Sequence, residues 1–307
     1  MKVIVKDAEE FLRNHTSKQT NEISAVGYGE WSQAFFYKEE KVQKIIRFSD
    51  TDEDFLRDQF AHTYSSQRLP IPEIEEIGNV FDGFFAISKH VEGEMIDTLE
   101  SEPMRMLVPK LLNLFEAMRS TDTSKSKGFG PWDTNGNGLK NSWKEYISEP
   151  GIDVPTMRIH GWKEKLVRRT HEHDIFNQAY KQLVSMIAFC PEERHIIHSD
   201  LLHFNVLVKD REIAAVLDWG CAKYGDFLYD VAWFIFWQFY YPSMKGIDFK
   251  EETRHHFSNH GADVSHYEER LKCYQLHIGI EALMYCSFKE NWQNAEMVAQ
   301  RLAEVLE

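Results

Sequence analysis

The residues whose types and spacing could do chemistry are concentrated at positions 198–220, HSDLLHFNVLVKDREIAAVLDWG. Asp200 and Asn205 are five apart, and Asn205 is separated from Asp218 by two strand-like apolar runs, Val206–Val208 and Ile213–Leu217, joined by the polar turn Lys209–Glu212. A strand pair with a tight turn folds back on itself, so a group just before it and a group just after it end up side by side. The spacing therefore predicts Asp200, Asn205 and Asp218 around one small volume furnished only with oxygen atoms. Amide and carboxylate oxygens at 205 and 218 suit Mg²⁺, a hard cation that takes one or two carboxylates and completes its shell with water and phosphate oxygens. Asp200 is then left to accept a proton from an attacking hydroxyl, the division of labour of a phosphoryl-transfer site.

An Asp or Asn beside a hairpin is more often only a turn or cap residue. What weighs against that here is the return strand, which ends in Asp218-Trp219-Gly220, in the register where a protein kinase carries Asp-Phe-Gly. His198 reads as a support of the loop through hydrogen bonds. Asp226 reads as a helix cap that also steadies the loop. His171 and His173, two apart on an expected helix, point to different sides and carry no metal reading.

The elements that must position these groups follow from periodicity. A first helix is predicted over 7–20, then strands over 22–27, 33–38 and 42–48, a helix from the Ser49-Asp50 cap to about residue 66, and strands over 73–80 and 84–90. Pro70 and Pro72 stop the helix before them. From 97 onward the pattern is helical (97–120, 141–149, 158–190, 229–240, 247–259, 264–288 and 291–306), interrupted by the hairpin at 206–217. The expectation is an α+β, two-lobed chain: residues 1–92 a small antiparallel β-rich lobe binding nucleotide phosphates, residues 93–307 a larger helical lobe with the catalytic loop and the acceptor site. The stretch 120–138, low in aliphatics and rich in Gly, Ser and Asn, reads as a mobile surface loop, with a cover over substrate as the alternative.

In the small lobe, Val26–Ser32 joins two strands. Gly29 allows close backbone approach to phosphate and Ser32 adds a hydroxyl, although a hairpin turn explains the glycines equally well. Lys44 alternates with Val42 and Ile46 and so shares an inward face, where a lysine needs an anionic partner. The functional reading has it contact nucleotide phosphates and pair with Asp58 on the next helix, or with Asp54 one turn earlier. Lys89, His90 and Val91 would connect the lobes and offer backbone to the nucleotide base.

A net charge of −14 argues against nucleic acid and anionic membrane as partners and suits a cationic small molecule. Cys190, Cys221, Cys273 and Cys286 lie singly and read as buried reduced thiols. With no signal peptide or spanning segment evident in these residues, a cytoplasmic monomer is expected.

With these residues placed, the chain resembles the aminoglycoside phosphotransferase family. The likeness rests on LPIPEIEEIG at 69–78, SKGFGPWDTNG at 126–136, ERHIIHSDLLHFNVL at 193–207, VLDWGCAKYGDFLYDVA at 216–232 and HIGIEALMYC near the C-terminus. The resemblance implies a protein-kinase-like fold and Mg²⁺-dependent transfer of the γ-phosphoryl group of ATP or GTP to a hydroxyl of an aminoglycoside of the hygromycin B kind. It implies Asp200 as catalytic base, Asn205 and Asp218 as Mg²⁺ ligands, and Lys44 as the phosphate-contacting residue. A polycationic acceptor should meet carboxylates, with Glu281 the first candidate. Trp237 could stack on a sugar face, although a helix-face charge and a core aromatic explain these two residues as well. Rival readings are a kinase of another hydroxylated metabolite (choline, a fructosamine, homoserine or a macrolide) and an inactive nucleotide-binding relative.

Overall fold

The computed structural model describes residues 2–29 and 31–307. In chain order the elements are α1 (Val5–His15), β1 (Thr20–Tyr28), β2 (Ser32–Glu39), β3 (Val42–Ser49), α2 (Glu53–His62), β4 (Ile74–Val80), β5 (Gly83–Lys89) and β6 (Glu94–Met95). Then come α3 (Ser101–Ser120), β7 (Phe129–Trp132), β8 (Gly138–Lys140), α4 (Trp143–Ser148), α5 (Trp162–Val167), α6 (Thr170–Met186), β9 (His195–Ile197), β10 (Val206–Lys209) and β11 (Glu212–Val216). Last are β12 (Lys223–Gly225), α7 (Leu228–Trp237), α8 (Phe249–Asn259), α9 (Tyr267–Lys289) and α10 (Trp292–Leu306).

The chain forms two compact units, and the division falls later than residue 92. The first holds everything described up to Thr98, with Trp132–Gly136 and Phe204–Cys221 added from later in the chain. The cause is strand pairing: β6 lies antiparallel to β10, with Leu207 opposite Met95, so the linker and the β10–β11 hairpin become one three-stranded sheet. Val216 also donates its N–H to the Pro70 carbonyl at 2.8 Å.

The main sheet of this unit is antiparallel, in the order β1-β2-β3-β5-β4. Alternation decides its two faces. Phe35 and Tyr37 of β2 and Ile46 and Phe48 of β3 pack under α1, which buries Ala8 and Leu12 there together with Val3. Ala86 turns to the other face, against Ile74 and Phe55 of α2. Removing one large ring from the first cluster, as in Phe48→Ala, should cost about 3–5 kcal/mol.

The second unit is mainly helical and is built around α9, whose buried residues run along nearly every face and which packs against α5, α6, α7 and α10. Two expectations are corrected here. The single helix predicted over 158–190 is α5 and α6, because Gly161 precedes α5 at φ +89° and the chain turns again at Arg168 and Arg169. The stretch expected to be a mobile loop is ordered, with β7 and β8 in the sheet β8-β7-β12-β9. The Arg194 guanidinium satisfies its carbonyls, donating to Gly128 O at 2.7 Å and Thr123 O at 2.8 Å while lying 3.9 Å from the centre of the Tyr224 ring. Polar composition therefore did not mean mobility. Among the described residues no helix is long and apolar enough to cross a membrane. Cys190, Cys273 and Cys286 are buried, but Cys221 is exposed, contrary to expectation, because it follows the hairpin.

Candidate active site

The hairpin brings two of the three expected oxygen donors together within the first unit. Val206 pairs with Val216, and Leu217 donates its N–H to the Asn205 carbonyl at 2.8 Å, so Asn205 and Asp218 flank the open end of the β10–β11 ladder. Asp218 is left-handed, at φ +56°, a conformation that costs a non-glycine residue about 1–2 kcal/mol and tends to mark functional loops. Its Oδ1 accepts the Gly220 N–H at 3.3 Å. At Gly220 a Cβ would come within 3.0 Å of the Asp54 carboxylate, so glycine lets that acid approach. One amide oxygen and one carboxylate fit the coordination chemistry of Mg²⁺, and Asn205 and Asp218 are the residues that would hold it.

The basic residue facing this end is Arg47, not Lys44. Arg47 Nη2 donates to Asp58 Oδ2 at 2.5 Å, and Asp58 Oδ1 accepts the Trp219 N–H at 2.7 Å. Burial opposes the charge on Arg47, but the carboxylates of Asp58, Asp218 and Asp54 outweigh it and raise the pKa of the guanidinium. The expected Lys44–Asp58 pair is thereby corrected. Lys44 stands beside Tyr37, on the face of β3 that α1 covers, and its ammonium lies 2.8 Å from Glu39 and 2.9 Å from Glu75. Strand alternation put Lys44 and Arg47 on opposite faces, and α2 lies over the one that carries Arg47. Asp54 instead pairs with Arg57 at 2.9 Å.

Gly29 follows β1 and Ser32 opens β2, while Glu30 between them lies outside the described residues. Gly29 serves by close approach, since a Cβ there would lie 3.1 Å from the Ser32 carbonyl. Lys89 ends β5, and Val91 is partly exposed in the connection to β6. His90 donates its N–H to Gln43 O at 3.0 Å, which commits that group and leaves it unavailable to a nucleotide base.

Asp200 belongs to the second unit. β9 delivers the chain to it through His198 and Ser199, both fully buried. The buried carboxylate of Asp230 accepts the N–H groups of His198 at 2.9 Å and Ser199 at 2.7 Å. Burial pushes the Asp230 carboxyl up to about 7, against the lowering effect of those two N–H groups and of Lys223. His198 Nδ1 accepts the Asp200 N–H at 3.2 Å, and His203 Nδ1 lies 2.7 Å from Asp200 Oδ1. Ser199, His203 and Phe204 are also left-handed, so strained backbone gathers around Asp200 as it does at Asp218.

Asp226 caps α7 by accepting the Leu228 N–H at 3.1 Å, but its carboxylate is otherwise held by Arg270 and Tyr274. The expected second role, steadying the catalytic loop, falls to Asp230 one helical turn later. Glu281 accepts the hydroxyls of Tyr146 at 2.8 Å and Tyr229 at 3.3 Å, with 37 % of its side chain exposed. Burial disfavours its charge, yet His277, Lys223 and the two tyrosines prevail and lower its pKa, so it is a carboxylate at neutral pH. Trp237 is half-buried, its ring 5.2 Å from that of His203.

The sequence assigned no site role to Arg47, Asp230, Lys223 or His203. A signal existed for Arg47, a second basic residue on the opposite face of the same strand, and for Asp230, an acid in an otherwise apolar helix.

A model described as the phosphotransferase enzyme family matches residues 58–246. Hygromycin-B 4-O-kinase from Escherichia coli is 26% identical over 277 residues, covering 90% of this chain and 77% of the relative. The crystal structure of a thermostable mutant of aminoglycoside phosphotransferase APH(4)-Ia, a ternary complex with AMP-PNP and hygromycin B, superimposes with a TM-score of 0.84 at 25% identity over 97% of each chain. Another crystal structure of that protein gives 0.86 at 24% identity, covering 99% of this chain and 98% of the other.

Proposed function

The chain belongs to the phosphotransferase enzyme family, and from that premise we propose that it transfers the γ-phosphoryl group of ATP or GTP to a hydroxyl of an aminoglycoside of the hygromycin B kind. The relative of known activity and the hygromycin B complex of the similar structure support this acceptor class. The single observation that carries the reading is the carboxylate of Asp58, which holds Arg47 with one oxygen and the backbone beside Asp218 with the other.

Phosphoryl transfer asks the protein for position and charge compensation more than for covalent chemistry. Arg47, fixed by Asp58, contacts the nucleotide phosphates. Asn205 and Asp218 would hold Mg²⁺, which supplies neutralisation of charge on the phosphoryl group when bound. Asp200 receives the proton of the acceptor hydroxyl as the new O–P bond forms, a contribution of about 10²–10⁴-fold. His198 and Asp230 keep the loop that carries it in one conformation. Glu281, ionised and partly exposed, offers a partner for an ammonium group of the acceptor, and Trp237 an aromatic face for a sugar ring.

An ADP-release assay against hygromycin B, other aminoglycosides and choline tests the proposal. ADP release dependent on an aminoglycoside is expected. Release with choline alone, or with no acceptor in the panel, would overturn it.

A further inference from the structure

Lys223 is an ammonium-bearing side chain that the transfer itself does not call for. It stands on β12 opposite Ile197 of β9, is only 7 % exposed, and places Nζ 2.6 Å from Ser199 Oγ. A lysine so deeply buried is rare without a specific partner. The rings of Tyr146 and Tyr229 flank it, each centred 5.7 Å from Nζ. Both tyrosines also donate their hydroxyls to Glu281. Ser199, immediately before Asp200, is held at φ +60°, a region that a residue with a Cβ avoids.

We propose that Lys223 is a positioning residue: its hydrogen bond to the Ser199 hydroxyl keeps Ser199 left-handed, fixes the direction in which Asp200 leaves the loop, and ties that loop to the tyrosines beside Glu281. The inference rests on Asp200 being the proton acceptor. Two anchors act on Ser199 from different sides, Asp230 on its N–H at 2.7 Å and Lys223 on its hydroxyl at 2.6 Å. The first fixes where the backbone lies. The second opposes its rotation back to negative φ, which would swing the next side chain away.

Two measurements on Lys223→Met decide the matter. The first is amide exchange followed by mass spectrometry on the segment 196–205, which needs no acceptor; exchange about tenfold faster than in the native protein is expected, with the rest of the second unit unchanged. The second is kinetics with whichever acceptor releases ADP: kcat should fall about tenfold or more, with the nucleotide KM within about twofold. In a Ser199→Gly background the same lysine substitution should cost less than about threefold, because glycine takes positive φ unaided. If Lys223→Met does not fold, Ser199→Ala removes the same hydrogen bond and carries the same expectations for exchange and kcat. Native exchange in the loop, an equal loss of kcat in the glycine background, or a nucleotide KM that rises in step would each overturn the proposal. Should no acceptor release ADP, the phosphotransfer reading falls and the exchange measurement still decides the role of Lys223.

Discussion

Arg47 and Asp58 form a charge-assisted hydrogen bond of 2.5 Å between β3 and α2, and the same carboxylate accepts the Trp219 N–H at 2.7 Å. A strand, a helix and the turn carrying Asp218 are thereby fixed to one another through the two oxygens of one carboxylate. Around it, Phe60 meets the Trp132 ring edge-on at 5.5 Å, and Trp132 stacks on Trp219 at 6.1 Å, which closes the segment 132–136 onto α2. The arrangement separates Lys44 from Arg47, which the strand pattern puts on opposite faces without saying which face receives α2.

Arg47→Ala should raise the nucleotide KM about tenfold or more and destabilise the protein by about 3 kcal/mol, because Asp58 is left buried without its cation. Lys44→Ala should leave kcat and the nucleotide KM within about twofold, since its partners lie on the α1 face. Steady-state kinetics and urea unfolding on the two variants check this, and a larger kinetic effect from Lys44 would reverse the assignment.

Asp200→Ala should bind nucleotide as the native protein does and lose turnover by at least about a hundredfold. A fluorescent nucleotide titration beside the ADP-release assay measures both. Normal turnover would remove Asp200 from the proton-accepting role.

Asp218→Ala should abolish the Mg²⁺ dependence of nucleotide binding, which calorimetric titration with and without chelator reads directly. Asn205→Ala should weaken that dependence about tenfold, the amide being the weaker of the two ligands. Unchanged dependence in both variants would show that the cation is held elsewhere.

Asp230 gives a pH signature with a definite sign. Its carboxyl is pushed up to about 7 from 3.8 by burial, so between those values the folded chain keeps a proton that the unfolded chain has released. The stability this contributes is complete below about pH 4 and is lost as the pH rises through about 7. Urea unfolding of the native protein and of Asp230→Asn should therefore show a difference that shrinks or reverses over that window. A difference independent of pH would contradict it.

Glu281→Gln should raise the KM for a cationic acceptor about tenfold while leaving kcat within about twofold, because a charge-assisted contact becomes a neutral one. An uncharged acceptor should be unaffected. Equal effects on both acceptors would mean that Glu281 serves only Tyr146 and Tyr229.

Much of this was legible in the chain because the signals are local. Alternation in QAFFY and QKIIRF fixes strands that bury every second residue, and the distance from Asn205 to Asp218 is that of a hairpin with one turn. Local periodicity says that Lys44 and Arg47 face opposite ways. It is silent on which face receives α1 and which α2, since that depends on how remote apolar surfaces satisfy one another, and so Lys44 was paired with an acid on the wrong side of the sheet. The ordered stretch from Thr123 to Gly138 escaped notice for a related reason: its carbonyls are satisfied by Arg194, far along the chain.

By itself the sequence determined the strands of the first sheet, most of the helices and the hairpin that brings Asn205 and Asp218 to one end of a ladder, all of which depend on neighbours within a few turns of chain. Tertiary structure alone decided which cation Asp58 holds, that Asp230 rather than Asp226 grips the backbone at His198 and Ser199, and that Lys223 reaches Ser199. Those contacts join residues 11 to 32 positions apart, and a buried charge selects its partner by what the folded surroundings leave within reach.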